Sequence, residues 1–219
     1  MHYHATPEDH AVLEKKGFLL VDSGATYMDG TTDITRTYPL GPLTEDEKRF
    51  YTWTLQSHID LAKAVWLDYC ECKMIDTIAR EPLWRHLINY RCGTGHSVSF
   101  VGNVHEGPHA LNSRNTTRMR PGMVITDEPG VYETDLVGIR IENELVCVHK
   151  ADNQYGTFLG FEPLMFVPIA TSPILPGVLD KDEIAWLNDY HRQVFAKLAP
   201  HLNDEERSWL AEKCAAIGC

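Results

Sequence analysis

The chain has 219 residues, and its 20 basic and 31 acidic side chains give a formal net charge of −11 at pH 7. This balance argues against a nucleic-acid partner and against an anionic membrane surface. No run approaches the roughly 18 apolar residues that span a bilayer, and the N-terminal segment lacks the pattern of a secretory signal. The six cysteines form neither a disulfide scaffold nor a paired zinc motif, so we expect one domain, residues 1–219, in a reducing cytoplasm.

The first informative segment runs from Phe18 to Pro39 and reads FLLVDSGATYMDGTTDITRTYP. It predicts two strands joined by a tight turn, because it is rich in β-branched and aromatic residues around a short glycine-containing stretch. Asp22 and Asp33 lie eleven residues apart in it. Two carboxylates brought together in a half-buried hairpin repel each other, and a bound cation offsets that repulsion.

Helix signals follow the hairpin. Thr44 and Glu47 match a capping box, and the apolar spacing after them predicts a helix of roughly twenty residues. A second helix is expected over about Met74–Leu87, with Pro82 marking a break or a restart.

The C-terminal segment also reads as helical. Asp180 is expected to cap one helix, and Asn203 with Glu206 to start another. We expect His191 and His201 to lie on the surface.

Three later segments carry polar residues in unusual settings. The glycine-rich stretch CGTGHSVSFVGNVHEGP holds His96 and His105, and either histidine alone is more often a hydrogen-bonding residue than a metal ligand. The apolar strand in MVITDEPGVY ends at Glu128. In GIRIENELVCV, a strand over residues 138–148 would place Arg140 and Glu142 on one face, and a charge in such a strand needs a partner.

Together these segments supply four carboxylates and one imidazole, from Asp22, Asp33, His96, Glu128 and Glu142. This hard, oxygen-rich donor set suits Mn²⁺, with Co²⁺, Zn²⁺ or Fe²⁺ as other occupants. Five ligands exceed what one such ion usually takes from protein, so we expect two ions that share carboxylates and hold a hydroxide between them.

The motifs DSG, TDITRT, GTGH, NVHEGP, TDEPG and GIRIEN, in this order, resemble metallopeptidase family M24, and within it the larger, eukaryote-like Xaa-Pro aminopeptidases. The likeness covers nearly the whole chain. It implies an α+β pita-bread fold, in which a curved, mostly antiparallel sheet is covered by helices. It also implies a cytoplasmic, often dimeric hydrolase that cleaves the bond before a proline in the second position of a peptide.

The resemblance also implies roles for single residues. Asp22 would chelate one ion alone, Asp33 and Glu142 would bridge both, and His96 and Glu128 would complete the second ion. The hydroxide would attack the peptide carbonyl, His105 would stabilise the oxyanion, and Glu128 would carry the proton to the leaving nitrogen. The residues expected to line the substrate site or to hold the bridging carboxylates are His2, His105, Tyr132 and Arg140.

Some features depart from the family pattern. Cys92 stands where the family usually has a histidine, and Ser97 where a glycine usually follows the metal-binding histidine. The chain begins inside the expected catalytic domain, so the first part of its pseudo-twofold is expected to be missing, leaving an exposed sheet edge that a second copy or a longer parent chain would cover. Two alternatives stay open: a degenerate domain that binds metal without catalysis, and a prolidase that acts on Xaa-Pro dipeptides.

Overall fold

The computed structural model describes residues 5–218. In this part of the chain the strands are β1 (Phe18–Tyr27), β2 (Gly30–Pro39), β3 (Val65–Leu67), β4 (Gly95–Ser97), β5 (Glu106–Leu111), β6 (Val124–Asp127), β7 (Gly130–Glu133), β8 (Val137–Arg140), β9 (Asn143–Asn153) and β10 (Gly156–Pro163). The helices are α1 (Glu45–Ala62), α2 (Cys72–Trp84), α3 (Lys181–Leu198) and α4 (Asp204–Lys213), with a short 3₁₀ turn at Ala199–His201. None of these helices has the length and apolar character that crossing a membrane requires.

The strands form one central sheet and three two-stranded ribbons. The central sheet has the order β3-β10-β9-β6, and the ribbons are β1-β2, β4-β5 and β7-β8. Every pairing between these strands is antiparallel. The predicted α+β class, with a mostly antiparallel sheet covered by helices, is therefore confirmed.

Two apolar clusters hold the helices against the strands. The first joins α1 and α2 to the central sheet through Leu61, Ile75, Leu145 and Phe161. The second packs α1 against α3 and the β8 region, and its fully buried members include Tyr51, Leu55, Ile59, Ile139, Leu187, Tyr190 and Val194. Burying side chains of this size stabilises the fold by about 1.5–3 kcal/mol each relative to exposure. Helix α1 contributes to both clusters and so joins the two halves of the core.

The predicted helix caps are all present, and each of them is a capping box. The side chains of Thr44, Asp180 and Asn203 each accept a hydrogen bond from the backbone N–H of the glutamate three residues later, and that glutamate bonds back to the cap. Such caps satisfy N–H groups that have no partner within the helix. The starts of α1, α3 and α4 therefore follow directly from local sequence.

The predicted break at Pro82 is wrong. Helix α2 runs without interruption from Cys72 to Trp84 and contains Pro82 in its last turn. Pro82 removes one helical N–H donor, and only two helical residues follow it, so little of the helix is affected. The side chain of Pro82 is buried, which helps to offset the lost hydrogen bond.

The single strand expected over residues 138–148 is also wrong, because residues 141 and 142 separate β8 from β9. At this break the backbone N–H of Glu142 donates to the Thr35 carbonyl oxygen at 3.1 Å. The main chain therefore leaves β7, contacts β2, and then pairs with β6. This change of partner turns the strand at the residue predicted to bind metal.

His191 is fully buried, which contradicts its predicted surface position, whereas His201 is exposed as expected. The Nε2 atom of His191 accepts a hydrogen bond from the backbone N–H of Ile169 at 3.1 Å. Burial and the nearby positive charge of Arg36 lower the pKa of His191 to about 4. The ring is therefore neutral at pH 7 and serves to hold the segment before α3.

Candidate metal centre

The β1-β2 hairpin places its two aspartates on one face. Asp22 lies opposite Thr35 in the register, and Asp33 lies opposite Gly24. Directly opposed residues share a face, and so do residues two positions apart on one strand. Asp22 and Asp33 are therefore diagonal neighbours, as the hairpin prediction required, although Asp33 is buried and Asp22 is half exposed.

Three of the predicted ligands form a compact cluster. Asp33, His96 and Glu142 each offer one ligand atom, and these atoms all lie within 4.8 Å of one another. His96 Nε2 lies 3.4 Å from Asp33 Oδ2 and 3.2 Å from Glu128 Oε1. Acids from three separate segments of the sequence therefore lie around the imidazole of His96.

Arg140 sits among these acids. Its Nη2 lies 2.5 Å from Asp22 Oδ2, and its Nη1 donates to the Tyr132 hydroxyl at 2.9 Å. Its Nε lies 3.8 Å from carboxylate oxygens of Glu128 and Glu142. Burial by itself would lower the pKa of Arg140, but the neighbouring Tyr132, Glu142 and Asp22 outweigh it and raise that pKa. The guanidinium is therefore a fixed positive charge beside the cluster.

Burial disfavours the ionised forms of the acids in this cluster. Burial raises the pKa of Glu142 well above its usual value, and the negative charges of Glu128 and Asp33 add to the shift. Burial also raises the pKa of Glu128. For His96, burial opposes protonation, but the hydrogen bond to Asp33 and the nearby acids raise its pKa above the ordinary value.

These shifts, together with the donor types, fit a divalent cation. Several carboxylates and one imidazole converge with less positive charge around them than the acids carry, and a bound cation would favour their ionised forms. Oxygen donors with one nitrogen suit Mn²⁺ and similar ions. The arrangement in residues 5–218 therefore meets the chemical requirement for such a site.

His105 faces the same region. Its ring is exposed and packs edge-on against His96, with ring centroids 4.1 Å apart. It lines a cavity of about 520 Å³ together with both hairpin aspartates. His2, predicted to line the substrate site, lies outside the described residues.

Two threonines that the sequence analysis did not single out orient the acids. Thr35 Oγ1 donates to Glu142 Oε2 at 2.5 Å, and Thr126 Oγ1 donates to Glu128 Oε1 at 2.9 Å. Each threonine lies two residues before or after a predicted ligand on the same strand path. Side chains two positions apart on a strand share a face, so this spacing could have predicted both threonines beside the ligands.

The residues that depart from the family pattern lie close to this region. Burial, followed by the charge of Glu128, raises the pKa of the half-buried Cys92 thiol. Ser97 is buried, and its hydroxyl donates to the Glu106 carbonyl oxygen at 2.5 Å, which ties β4 to β5. Both side chains are thus packed into the fold, and the described cysteines Cys70, Cys72, Cys92, Cys147 and Cys214 are free thiols.

The sequence is similar to curated proteins of fungi and plants. A probable Xaa-Pro aminopeptidase P from Coprinopsis cinerea is 40% identical over 225 residues, which cover 99% of this chain and 36% of that protein. Aminopeptidase P2 of Arabidopsis thaliana is 42% identical over 217 residues, covering 96% of this chain and 30% of its own length. The chain thus spans about a third of the length of these curated relatives.

Solved structures agree on the fold. The X-prolyl aminopeptidase of Caenorhabditis elegans, described as a cytosolic enzyme with a dinuclear active site, superposes with a TM-score of 0.86 at 40% identity and covers 90% of this chain and 33% of its own. The prolidase of Pyrococcus furiosus gives a TM-score of 0.59 at 29% identity, over 68% of this chain and 41% of its own. The predicted pita-bread fold is therefore confirmed.

Family models give the assignment directly. The model of metallopeptidase family M24 matches residues 1–149, and the model of the C-terminal region of peptidase M24 matches residues 157–217. The first match covers more than half of the chain and includes every predicted metal ligand. The chain therefore belongs to metallopeptidase family M24.

Proposed function

We propose that this chain carries the catalytic centre of a metal-dependent aminopeptidase that releases an N-terminal residue preceding proline. The observation that carries the proposal is the convergence of Asp33, His96 and Glu142, whose ligand atoms lie within 4.8 Å of one another. The similarity to Xaa-Pro aminopeptidases of fungi, plants and a nematode supports the substrate class.

The metal centre of the proposal uses five side chains. Asp33 and Glu142 would hold both divalent ions, His96 and Glu128 would complete the ligand set of one of them, and Asp22 would bind the other in place of its contact with Arg140. Mn²⁺ is the proposed occupant, with Co²⁺ or Zn²⁺ as substitutes. Two such ions would supply the nucleophilic hydroxide and a Lewis acid for the peptide carbonyl.

Protein groups around the centre handle the proton and the developing charge. His105 donates a hydrogen bond to the carbonyl oxygen as it becomes negative, from its position beside His96 in the cleft. Glu128, whose pKa burial raises, would accept on a carboxylate oxygen the proton that the nucleophile loses after it adds to the carbonyl carbon, and would deliver this proton to the leaving nitrogen as the C–N bond breaks. Arg140 orients the carboxylate of Asp22 through a hydrogen bond. Tyr132 in turn orients Arg140, because its hydroxyl accepts a hydrogen bond of 2.9 Å from Nη1.

The substrate side of the proposal follows from proline chemistry. The leaving nitrogen of an Xaa-Pro bond carries no hydrogen, so the site must recognise the shape of the ring rather than an amide N–H. The cytosolic setting of the nematode relative and the free thiols described above support a cytoplasmic location.

The exposed strand β1 suggests that another part of the protein, or a second copy, packs against it. In residues 5–218 this strand pairs only with β2, and its side chains from Val21 to Tyr27 are exposed. An unpaired edge of this length is normally covered. A second copy of the chain, or further sequence of a longer parent chain, is the proposed cover.

The decisive experiment compares hydrolysis of a tripeptide with proline in the second position by the parent chain and by Asp33→Asn, each loaded with Mn²⁺. We expect cleavage by the parent and a loss of at least a hundredfold in the variant. Metal binding by the parent without cleavage would overturn the proposal and leave a metal-binding module. Faster cleavage of an Xaa-Pro dipeptide than of the tripeptide would instead identify a prolidase.

A further inference from the structure

A row of buried polar side chains lies directly behind the candidate metal ligands. Asp127 and Asn143 are the chain neighbours of Glu128 and Glu142, and they face each other where β6 pairs with β9. Both have no exposed surface. Buried polar groups of this kind need partners, because an unpaired one loses its hydrogen bonds to water and gains none in return.

His58 of α1 joins the two side chains. Its Nδ1 lies 3.3 Å from the main-chain oxygen of Asp127 and 3.1 Å from Asp127 Oδ2, and the side-chain amide of Asn143 lies 3.2 Å from its Nε2. Because an amide nitrogen can only donate, Nε2 accepts, and the ring hydrogen sits on Nδ1 and points to Asp127. The imidazole is fully buried and packs edge-on against Trp186, with centroids 5.8 Å apart.

Arg36 anchors the other end of the row. Its Nη2 donates to Asn143 Oδ1 at 2.8 Å and to the Tyr190 hydroxyl at 2.9 Å. Its Nη1 donates to the main-chain oxygen of Thr35 at 2.9 Å and to that of Glu142. The row therefore fixes the backbone at Glu142 as well as at Asp127.

The pairing of the Asp127 carboxylate depends on His58 alone among the described residues. Without the imidazole, a buried carboxylate next to Glu128 would stand uncompensated, and the Asn143 amide would lose its acceptor. The chain would then have to move at both residues that precede or follow a candidate ligand.

We propose that His58 is a positioning residue, which aims Glu128 and Glu142 at the metal centre by linking Asp127 to Asn143. The inference rests on the metal centre of the proposed function. His58 touches neither the ions nor the peptide in this scheme. Its effect passes through the backbone to the two carboxylates, and outer partners of this kind typically change metal affinity by 10–100-fold.

The test separates the contacts of His58 with Asp127 from its hydrogen bond with Asn143. His58→Asn keeps a donor near the Nδ1 position toward Asp127, His58→Gln keeps an acceptor near the Nε2 position toward Asn143, and His58→Leu removes both. The matched control is Ser57→Ala on the same helix, because the Ser57 hydroxyl is also fully buried but has no hydrogen-bond partner.

Two measurements are made on the purified chain: Co²⁺ affinity by calorimetry, with the visible spectrum of bound Co²⁺, and urea unfolding without metal. We expect His58→Leu to weaken Co²⁺ binding about 10–100-fold and to alter the spectrum. The Asn and Gln variants should lie between Leu and parent, and Ser57→Ala should match the parent.

A folded His58→Leu variant with the parent's Co²⁺ affinity and spectrum would overturn the inference. If that variant does not unfold cooperatively, the Asn and Gln variants decide, and parental affinity in both overturns it as well. Failure of the peptidase proposal is seen separately, as Co²⁺ binding by the parent without peptide cleavage. Absence of Co²⁺ binding by the parent would overturn both.

Discussion

Arg140 Nη2 lies 2.5 Å from Asp22 Oδ2, so a guanidinium holds the predicted ligand that stands apart from the others. The same side chain also lies 3.8 Å from oxygens of Glu128 and Glu142. Without metal, Arg140 is thus the main positive charge beside the acids. An ion that binds Asp22 has to compete with this pair.

Replacing Arg140 by glutamine should destabilise the metal-free protein by about 1–3 kcal/mol, because it removes the charged hydrogen bond to the half-exposed Asp22 and the positive charge beside Glu128. Urea unfolding in the presence of a chelator measures this change. Saturating Mn²⁺ should recover much of the loss, since the ion replaces the missing charge. Arg49→Gln is the control: Arg49 forms only exposed ion pairs with Glu45 and Asp46, so a change below about 1 kcal/mol is expected. Equal effects of the two substitutions would contradict this account.

Glu142→Gln should have opposite effects with and without metal. Burial raises the pKa of Glu142, so its ionised form is disfavoured in the fold and the neutral amide should keep or increase metal-free stability at pH 7. The Thr35 hydroxyl can still donate to the amide oxygen. The increase in melting temperature on adding Mn²⁺ should fall sharply, because a predicted bridging oxygen is lost.

Differential scanning calorimetry with and without Mn²⁺ checks this reversal. Glu162→Gln, at a side chain that is 64% exposed, should keep the parent's response to metal. Full Mn²⁺ occupancy in Glu142→Gln would count against the ligand assignment.

Gly95→Ala should disrupt the centre through packing. A Cβ at this position would overlap the carbonyl oxygen of Thr126, directly beside His96. Overpacking of this kind typically costs about 1–3 kcal/mol, and here the shift would separate His96 from Glu128. Chemical unfolding and Mn²⁺ titration should both report losses. Gly107→Ala is the control, because a Cβ there meets no atom within 4 Å; similar losses in both variants would refute the packing argument.

The buried His191 predicts a pH dependence of stability. Its pKa is about 4 in the fold, where burial and Arg36 lower it, and about 6.5 when unfolded. Between these values the unfolded chain binds more protons, so the contribution of His191 is complete above pH 6.5 and is lost as the pH falls toward 4. The loss amounts to roughly 3 kcal/mol from the difference in pKa.

His191→Gln isolates this effect, because the glutamine side chain can accept from Ile169 but does not titrate. Unfolding free energies at pH 7 and pH 4.5 should differ less in this variant than in the parent. The exposed His201→Gln should leave the parent's difference unchanged. A parental pH dependence in His191→Gln would exclude His191 as its source.

Features that depend on neighbouring residues were predictable from the sequence. The capping boxes at Thr44, Asp180 and Asn203 and the β1-β2 hairpin are set by contacts within a few residues, and all of them are present. The burial of His191 also had a local signal, since it shares a helix face with Leu187 and Val194. The surface prediction rests on the usual exposure of histidine, whereas the apolar pattern of this helix indicates the core.

Other features depend on tertiary partners. The break between β8 and β9 arises because Glu142 bonds to Thr35 more than a hundred residues earlier, and no local pattern encodes that. The pairing of Asp22 with Arg140 likewise depends on how two ribbons meet. Convergence of the other acids could be inferred because a buried charge in an apolar strand needs compensation, and a cation shared by several carboxylates supplies it.

The hydrogen bond between Thr35 and Glu142 spans 107 positions of the chain. Contacts of such high sequence separation cost loop entropy and tend to form late in folding, after local helices and hairpins. A metal-sensitive signal therefore reports completion of the fold, and a refolding chain should gain its helical circular dichroism before it gains the ability to retain Mn²⁺.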